Sequence, residues 1–150
     1  MRLAPSTPIQ QTTRQIVRID STQGRWELET LEINTLNKDP REEYLVLSGE
    51  PLCQYVLRGH PDSMIIARGP LPYLTGNKAT VGFVSPLTQL PHYGYVGGRV
   101  AFQLHNLGLD AVVFLNPAIG TGSMPIIILR GRVPDLVVSF EDPATLPRGV

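Results

Sequence analysis

The chain of 150 residues carries 13 basic and 13 acidic side chains, with 42% hydrophobic and 17% charged residues. That length suits one domain able to bury about two thirds of its unfolded surface, and the balanced charge leaves no field to steer nucleic acid or an anionic membrane. The longest apolar runs, such as Ile126 to Leu129, are too short to span a bilayer, and the N-terminus lacks an apolar signal-type segment, so a soluble, cytoplasmic domain is expected.

Residues 1–12 mix prolines with small polar residues without any period and read as a flexible or docking arm, leaving 13–150 as a single domain. From Arg14 the pattern alternates through Ile16, Val17 and Ile19 to the turn Ser21-Thr22-Gln23-Gly24. A second run follows with Trp26, Leu28 and Thr30, which together predict an antiparallel hairpin. Asn37-Lys38-Asp39-Pro40 breaks that strand. Asp39 as cap, Pro40 with its preset φ and two glutamates near the positive end of the dipole predict a short helix over 40–47.

Pro51 suits the first turn of another helix, running through Leu52, Val56 and Leu57 to Gly59, in which Cys53 is a small buried apolar residue. Ser63 to Ala67 and Thr80 to Val84 read as buried strands on either side of a loop from Gly69 to Gly76. After Ser85, prolines 86 and 91 and glycines 94, 97 and 98 predict a long irregular connection. A helix from Arg99 to Leu107 follows, with Val100, Leu104 and Leu107 on one face and Gly108 as its C-cap. Asp110 to Leu115, Pro125 to Leu129 and Leu136 to Phe140 are β-rich, separated by turns at Asn116 to Ser123 and Gly131 to Asp135. Asp142-Pro143 starts barely one more helical turn. The sum is an α+β domain dominated by sheet, with two or three short helices and no internal repeat.

Cys53 is the only cysteine, so this chain alone builds no disulfide, thiolate metal site or cysteine-ligated iron-sulfur cluster. His60, His92 and His105 sit in separate segments without metal-ligand spacing. No acid pair, Ser-His-Asp set or Cys-His set stands out, so no catalytic residue and no metal ligand is assigned. Gly120-Thr121-Gly122-Ser123 lacks the Gly-Lys-Ser/Thr continuation of a phosphate loop. Gly97-Gly98 before Arg99 suits either a tight turn or backbone N–H groups and a guanidinium presented to a phosphate. Lys78 is either a solvated loop charge or a phosphate contact. Tyr93 and Tyr95 suit a protein interface or the stacking of a planar ligand.

The succession Gly69-Pro70-Leu71, Ser85-Pro86-Leu87-Thr88, Gly97-Gly98, Leu104 and Gly108-Leu109-Asp110-Ala111-Val112-Val113 resembles the N-terminal domain of aldehyde ferredoxin oxidoreductases, the tungsten-pterin enzymes. Arg14-Gln15-Ile16-Val17-Arg18-Ile19-Asp20 looks like the first strand of that family, and by this resemblance the chain covers roughly the first two thirds of the family's base. The resemblance implies two β-sheets forming the base on which a tungsten-bis-pterin cofactor lies, with iron-sulfur cysteines and the substrate pocket supplied by later helical domains. It places the cofactor contacts on Asn77, Lys78, Tyr95, Gly97, Gly98 and Arg99. Several polar positions depart from the family pattern. Ser48-Gly49-Glu50-Pro51-Leu52 stands where a Gly-Gly-Arg-Gly-Leu type turn is usual, Lys78 replaces a phosphate-gripping arginine, and Tyr95 replaces an asparagine that helps hold magnesium. Ala101-Phe102-Gln103-Leu104-His105 likewise replaces a Gly-Pro-Glu-Leu-Lys type helix.

Two functions follow as expectations. One is an N-terminal subunit or fragment of a tungsten- or molybdenum-pterin aldehyde oxidoreductase, supplying part of the pterin cradle without being catalytic alone. The other is a non-catalytic interaction module that keeps the scaffold and docks a protein partner or a second copy through the cradle face or through unpaired sheet edges. A small-ligand binder acting alone has the least support, because half a cradle converges few polar groups.

Overall fold

A computed structural model of the chain describes residues 12–33, 48–69, 78–115 and 125–145. The expected N-terminal arm up to residue 11, the helix over 40–47, the loop at 70–76, Asn77 and the turn at 116–123 lie outside these described residues.

Strands β1 (Thr12–Asp20) and β2 (Arg25–Ile33) form the expected antiparallel hairpin, with Val17 opposite Leu28. Helix α1 (Gly49–Gly59) has Pro51 in its first turn and leads to β3 (Met64–Ala67). Then come β4 (Ala79–Val84), β5 (Pro91–Val96), helix α2 (Val100–Asn106) and β6 (Ala111–Leu115). A second hairpin, β7 (Ile126–Arg130) and β8 (Val137–Glu141), precedes a single 3-10 turn at Pro143–Thr145. The described strands form a six-stranded sheet in the order β2-β1-β6-β3-β4-β5 and the separate two-stranded sheet β7-β8. Within the larger sheet β1 and β6 run parallel, while the other pairs are antiparallel.

One expectation is corrected. The stretch from Ser85 to Arg99 is not irregular throughout, because Pro91 to Val96 pairs with β4 along its whole length. Proline at the first position of an edge strand removes an N–H that no ladder needs, so Pro91 does not exclude the strand it opens. The Ser85-Pro86-Leu87-Thr88 segment is the hairpin loop between β4 and β5. The Ser85 hydroxyl accepts from the Leu87 and Thr88 amides at 3.3 and 3.4 Å, and Ser85 donates its amide to the Leu90 carbonyl at 2.9 Å.

Alternation along the strands sends side chains to two buried faces. On one face Ile16, Ile65, Ala67, Ala111 and Val113 pack against Leu52, Cys53, Val56 and Leu57 of α1. On the other, Val17, Ile19 and Val112 pack against Leu104 of α2, the following Leu109, and Leu136 and Val138 of the second hairpin region. A strand buried on both faces needs a near-continuous apolar run, which β6 supplies from Ala111 to Leu115, while β1 supplies only Ile16, Val17 and Ile19 in its buried middle. Each fully buried aliphatic side chain such as Leu52 or Ile65 contributes about 1.5–3 kcal/mol relative to exposure. Gly108 takes φ +74° just after α2, as expected of its C-cap, and Arg132 donates to the carbonyls of His105 and Asn106 at 3.0 and 2.9 Å, favourably placed at the helix's negative end.

Candidate functional site

Strand register brings most of the predicted cofactor contacts to one end of the large sheet. Ala79 pairs with Val96 and Thr80 with Tyr95, so Lys78 adjoins the Gly97-Gly98-Arg99 turn although some twenty residues separate them in sequence. The same end holds the first turn of α1, whose Gly49 amide donates to the Arg68 carbonyl at 3.0 Å. Lys78, Tyr95, Gly97, Gly98 and Arg99 are all exposed, while Asn77 lies outside the described residues.

The site has three kinds of group. Lys78 and Arg99 are exposed cations that form no ion pair among the described residues. Gly98 adopts φ +74°, and a Cβ on Gly97 or Gly98 would meet nothing within 4 Å, so this backbone faces open space. Tyr95 donates its hydroxyl to Glu50 Oε2 at 3.1 Å, and that hydrogen bond to a carboxylate pushes the phenol's pKa up. Helix α2 is only seven residues long, so the expected anion affinity of its N-terminus reduces to the two glycine amides and the Arg99 charge.

The arrangement suits one part of the implied cofactor and not another. Two unpaired cations beside an open glycine turn fit a phosphate group, with Lys78 acting as a point charge and Arg99 as a fork. A magnesium ion finds no ligand set here: Tyr95 is a neutral donor already engaged with Glu50, and no cluster of three or more His, Cys, Asp or Glu occurs among the described residues. Glu50 places a negative charge in the first turn of α1, beside the Tyr95 hydroxyl.

Behind this rim lies a buried anchor that sequence reasoning did not single out. Asp110 Oδ1 pairs with Arg68 Nη2 at 2.8 Å, and Asp110 Oδ2 accepts the Gln15 amide at 2.8 Å. Arg68 Nε donates to the Leu109 carbonyl at 2.8 Å. These bonds tie β1, β3 and β6 together at the end that carries the site. The available signal was a lone arginine closing one apolar run and a lone aspartate opening another.

Cys53 is buried against the sheet, and burial first and Glu50 second push its thiol up to about 12, so it stays protonated and is not a nucleophile. This agrees with its reading as an apolar core residue.

No protein-family model matches the chain. No curated protein matches it either. Among solved structures it is similar to the active-site complex BamBC of benzoyl coenzyme A reductase, solved with 1,5-dienoyl-CoA, at 22% identity and a TM-score of 0.58. The match covers 86% of this chain and 20% of that one, so the chain spans about a fifth of its matched neighbour's length. The likeness is one of fold: an α+β, strand-rich domain that corresponds to part of a larger enzyme chain. No described helix is long and apolar enough to cross a membrane.

Proposed function

We propose that the chain is the platform domain of a larger pterin-dependent oxidoreductase of the aldehyde ferredoxin oxidoreductase type, holding the phosphate-bearing end of a tungsten- or molybdenum-pterin and relying on a protein partner for catalysis. The observation that carries this reading is the fold match over 86% of the chain to one fifth of an enzyme chain. It is joined by the convergence of Lys78, Gly97, Gly98 and Arg99 at one sheet end. When bound, such a cofactor supplies two-electron redox chemistry at its metal. This chain's residues contribute grip: Lys78 and Arg99 hold phosphate charge, and the Gly97 and Gly98 amides offer donors beside it. Elemental analysis and mass spectrometry of the complex purified from its host test the reading. Tungsten or molybdenum with pterin should copurify, and the loading should fall in a Lys78→Ala, Arg99→Ala double variant. A metal-free complex with a complete partner bound would overturn it.

A second reading is favoured by a separate observation. The edge strand β5 carries no formally charged side chain, and Leu87, Leu90, Tyr95 and Val96 are 93, 61, 63 and 37% exposed on or beside it. An uncharged edge next to exposed apolar side chains is a template for strand addition by another chain. On this reading the domain is an interaction module. Light scattering after size-exclusion chromatography separates the two, because a compact monomer at high concentration defeats self-assembly and leaves the cofactor test untouched.

A further inference from the structure

At the opposite end of the sheet, beneath the C-terminal end of α1, lies a cavity of about 490 Å³ whose described lining includes Arg18, Glu29, Tyr55, Arg58 and His60. An adjoining cavity of about 340 Å³ shares Arg18, Gly59 and His60 and adds Asp62 and Ser63. Arg18 is the one charged residue inside the apolar run of β1, and its side chain is only 17% exposed. Its Nε donates to the Glu29 carboxylate. Its Nη1 is buried and has no hydrogen-bond partner among the described residues, and Arg18 as a residue lines both cavities.

A guanidinium has five donors in a fixed fork, and one carboxylate reached through Nε leaves the remaining donors to other acceptors. A buried donor without an acceptor is costly, so this guanidinium gains from any acceptor that reaches its remaining donors. The charges facing the larger cavity define that acceptor. Glu29 is already committed to Arg18, so among the described lining residues Arg58 is the charge left without a counterion, and His60 and Tyr55 line the same cavity. The α1 C-terminus opposes an anion, but the Arg58 charge in its last turn counters that dipole end. Asp62 faces only the smaller cavity, and there it biases an anion toward the larger one.

We infer that this cleft binds a small oxyanion, a phosphate or carboxylate group, between Arg18 and Arg58. The site is distinct from the Lys78 and Arg99 rim, since the two lie at opposite ends of the sheet. The test is a titration of the full-length chain with sodium phosphate, sodium acetate and sodium chloride at matched ionic strength, followed by ¹H–¹⁵N correlation spectra. Saturable shifts are expected at the Arg18 side-chain Nε–H and at the amides from Arg58 to Ser63. Tighter saturation by phosphate identifies a phosphoryl ligand, whereas saturation by acetate at equal or lower concentration identifies a carboxylate. Arg58→Gln, at an exposed position that leaves the core intact, should weaken binding by about tenfold, which is what one lost charge-assisted hydrogen bond removes. Tyr55→Phe should weaken it less and serves as a second variant that folds. Equal shifts with chloride, an Arg58→Gln variant that binds as well as the parent, or saturable shifts confined to Lys78 and Gly97 to Arg99 would each overturn the assignment.

Discussion

Gly82 and Phe83 are neighbours on β4, yet they face opposite sides of the sheet and meet opposite circumstances. A Cβ on Gly82 would lie 3.1 Å from Cys53 Cβ and 3.3 Å from both Leu57 Cδ1 and Tyr93 Cδ1. Phe83, one residue on, leaves 40% of its surface in solvent and stacks on His92 with ring centroids 5.9 Å apart. The α1 face is therefore packed to the limit over β3 and β4. The other face is covered by α2 and the β7-β8 hairpin mainly over the β1 and β6 half. One strand thus serves as scaffold on one side and as open surface on the other, which is the geometry a platform domain needs if something else is to rest on it.

The largest effect should come from the anchor at the end of the three central strands. Asp110→Ala leaves the part-buried Arg68 guanidinium without its carboxylate and the Gln15 amide without an acceptor, and should cost about 3 kcal/mol in chemical denaturation. A loss below about 1 kcal/mol would mean that the three central strands do not depend on this cluster. Next comes Gly82→Val, which forces a branched side chain against Cys53, Leu57 and Tyr93 and should destabilise by about 1–3 kcal/mol. Wild-type stability in that variant would show that α1 can lift from the sheet without penalty, and the contrast between the faces would fail. Phe83→Ser, which removes a cross-strand stack on a half-exposed side chain, should destabilise by about 0.5–1 kcal/mol, less than Gly82→Val. If the same change abolishes association with a partner, the uncovered face is the docking side.

Much of this architecture was legible in the sequence because local chemistry and burial agree. Pro51 in a first turn, Gly108 ending α2, and the alternation of Ile16, Val17 and Ile19 each name their element from a few residues. β5 was not legible, because Pro91 and Gly94 carry turn chemistry and the strand exists only through its partner β4. The site shows the same division. Gly97-Gly98-Arg99 is visible as a motif, but the approach of Lys78 follows from strand register, and the Tyr95 to Glu50 hydrogen bond spans 45 positions. Arg68 and Asp110 meet only because β3 and β6 pair antiparallel, with Ala67 opposite Ala111. Local rules set the scaffold, whereas the polar partnerships arise from long-range pairing that one-dimensional spacing does not contain.

The smallest effect belongs to a turn outside both faces. Asp20 Oδ1 accepts from the Thr22 hydroxyl at 2.6 Å and from the Thr22 and Gln23 amides at 3.1 and 3.2 Å, closing the β1-β2 turn. These bonds, with the hydroxyl foremost, hold its carboxyl below the ordinary 3.8. A depressed carboxylate binds its proton less readily when folded than when unfolded. Its contribution is therefore complete above about pH 3.8 and is lost as pH falls through the folded value. Thermal melts between pH 6 and pH 2.5 should show the parent losing slightly more stability than Asp20→Asn, whose side chain does not titrate. The difference should persist unchanged in the Gly82→Val background, because distant sites without shared partners act additively. A pH slope altered by Gly82→Val would instead couple the turn to the α1 face, and the open and closed sides of the sheet would no longer be independent.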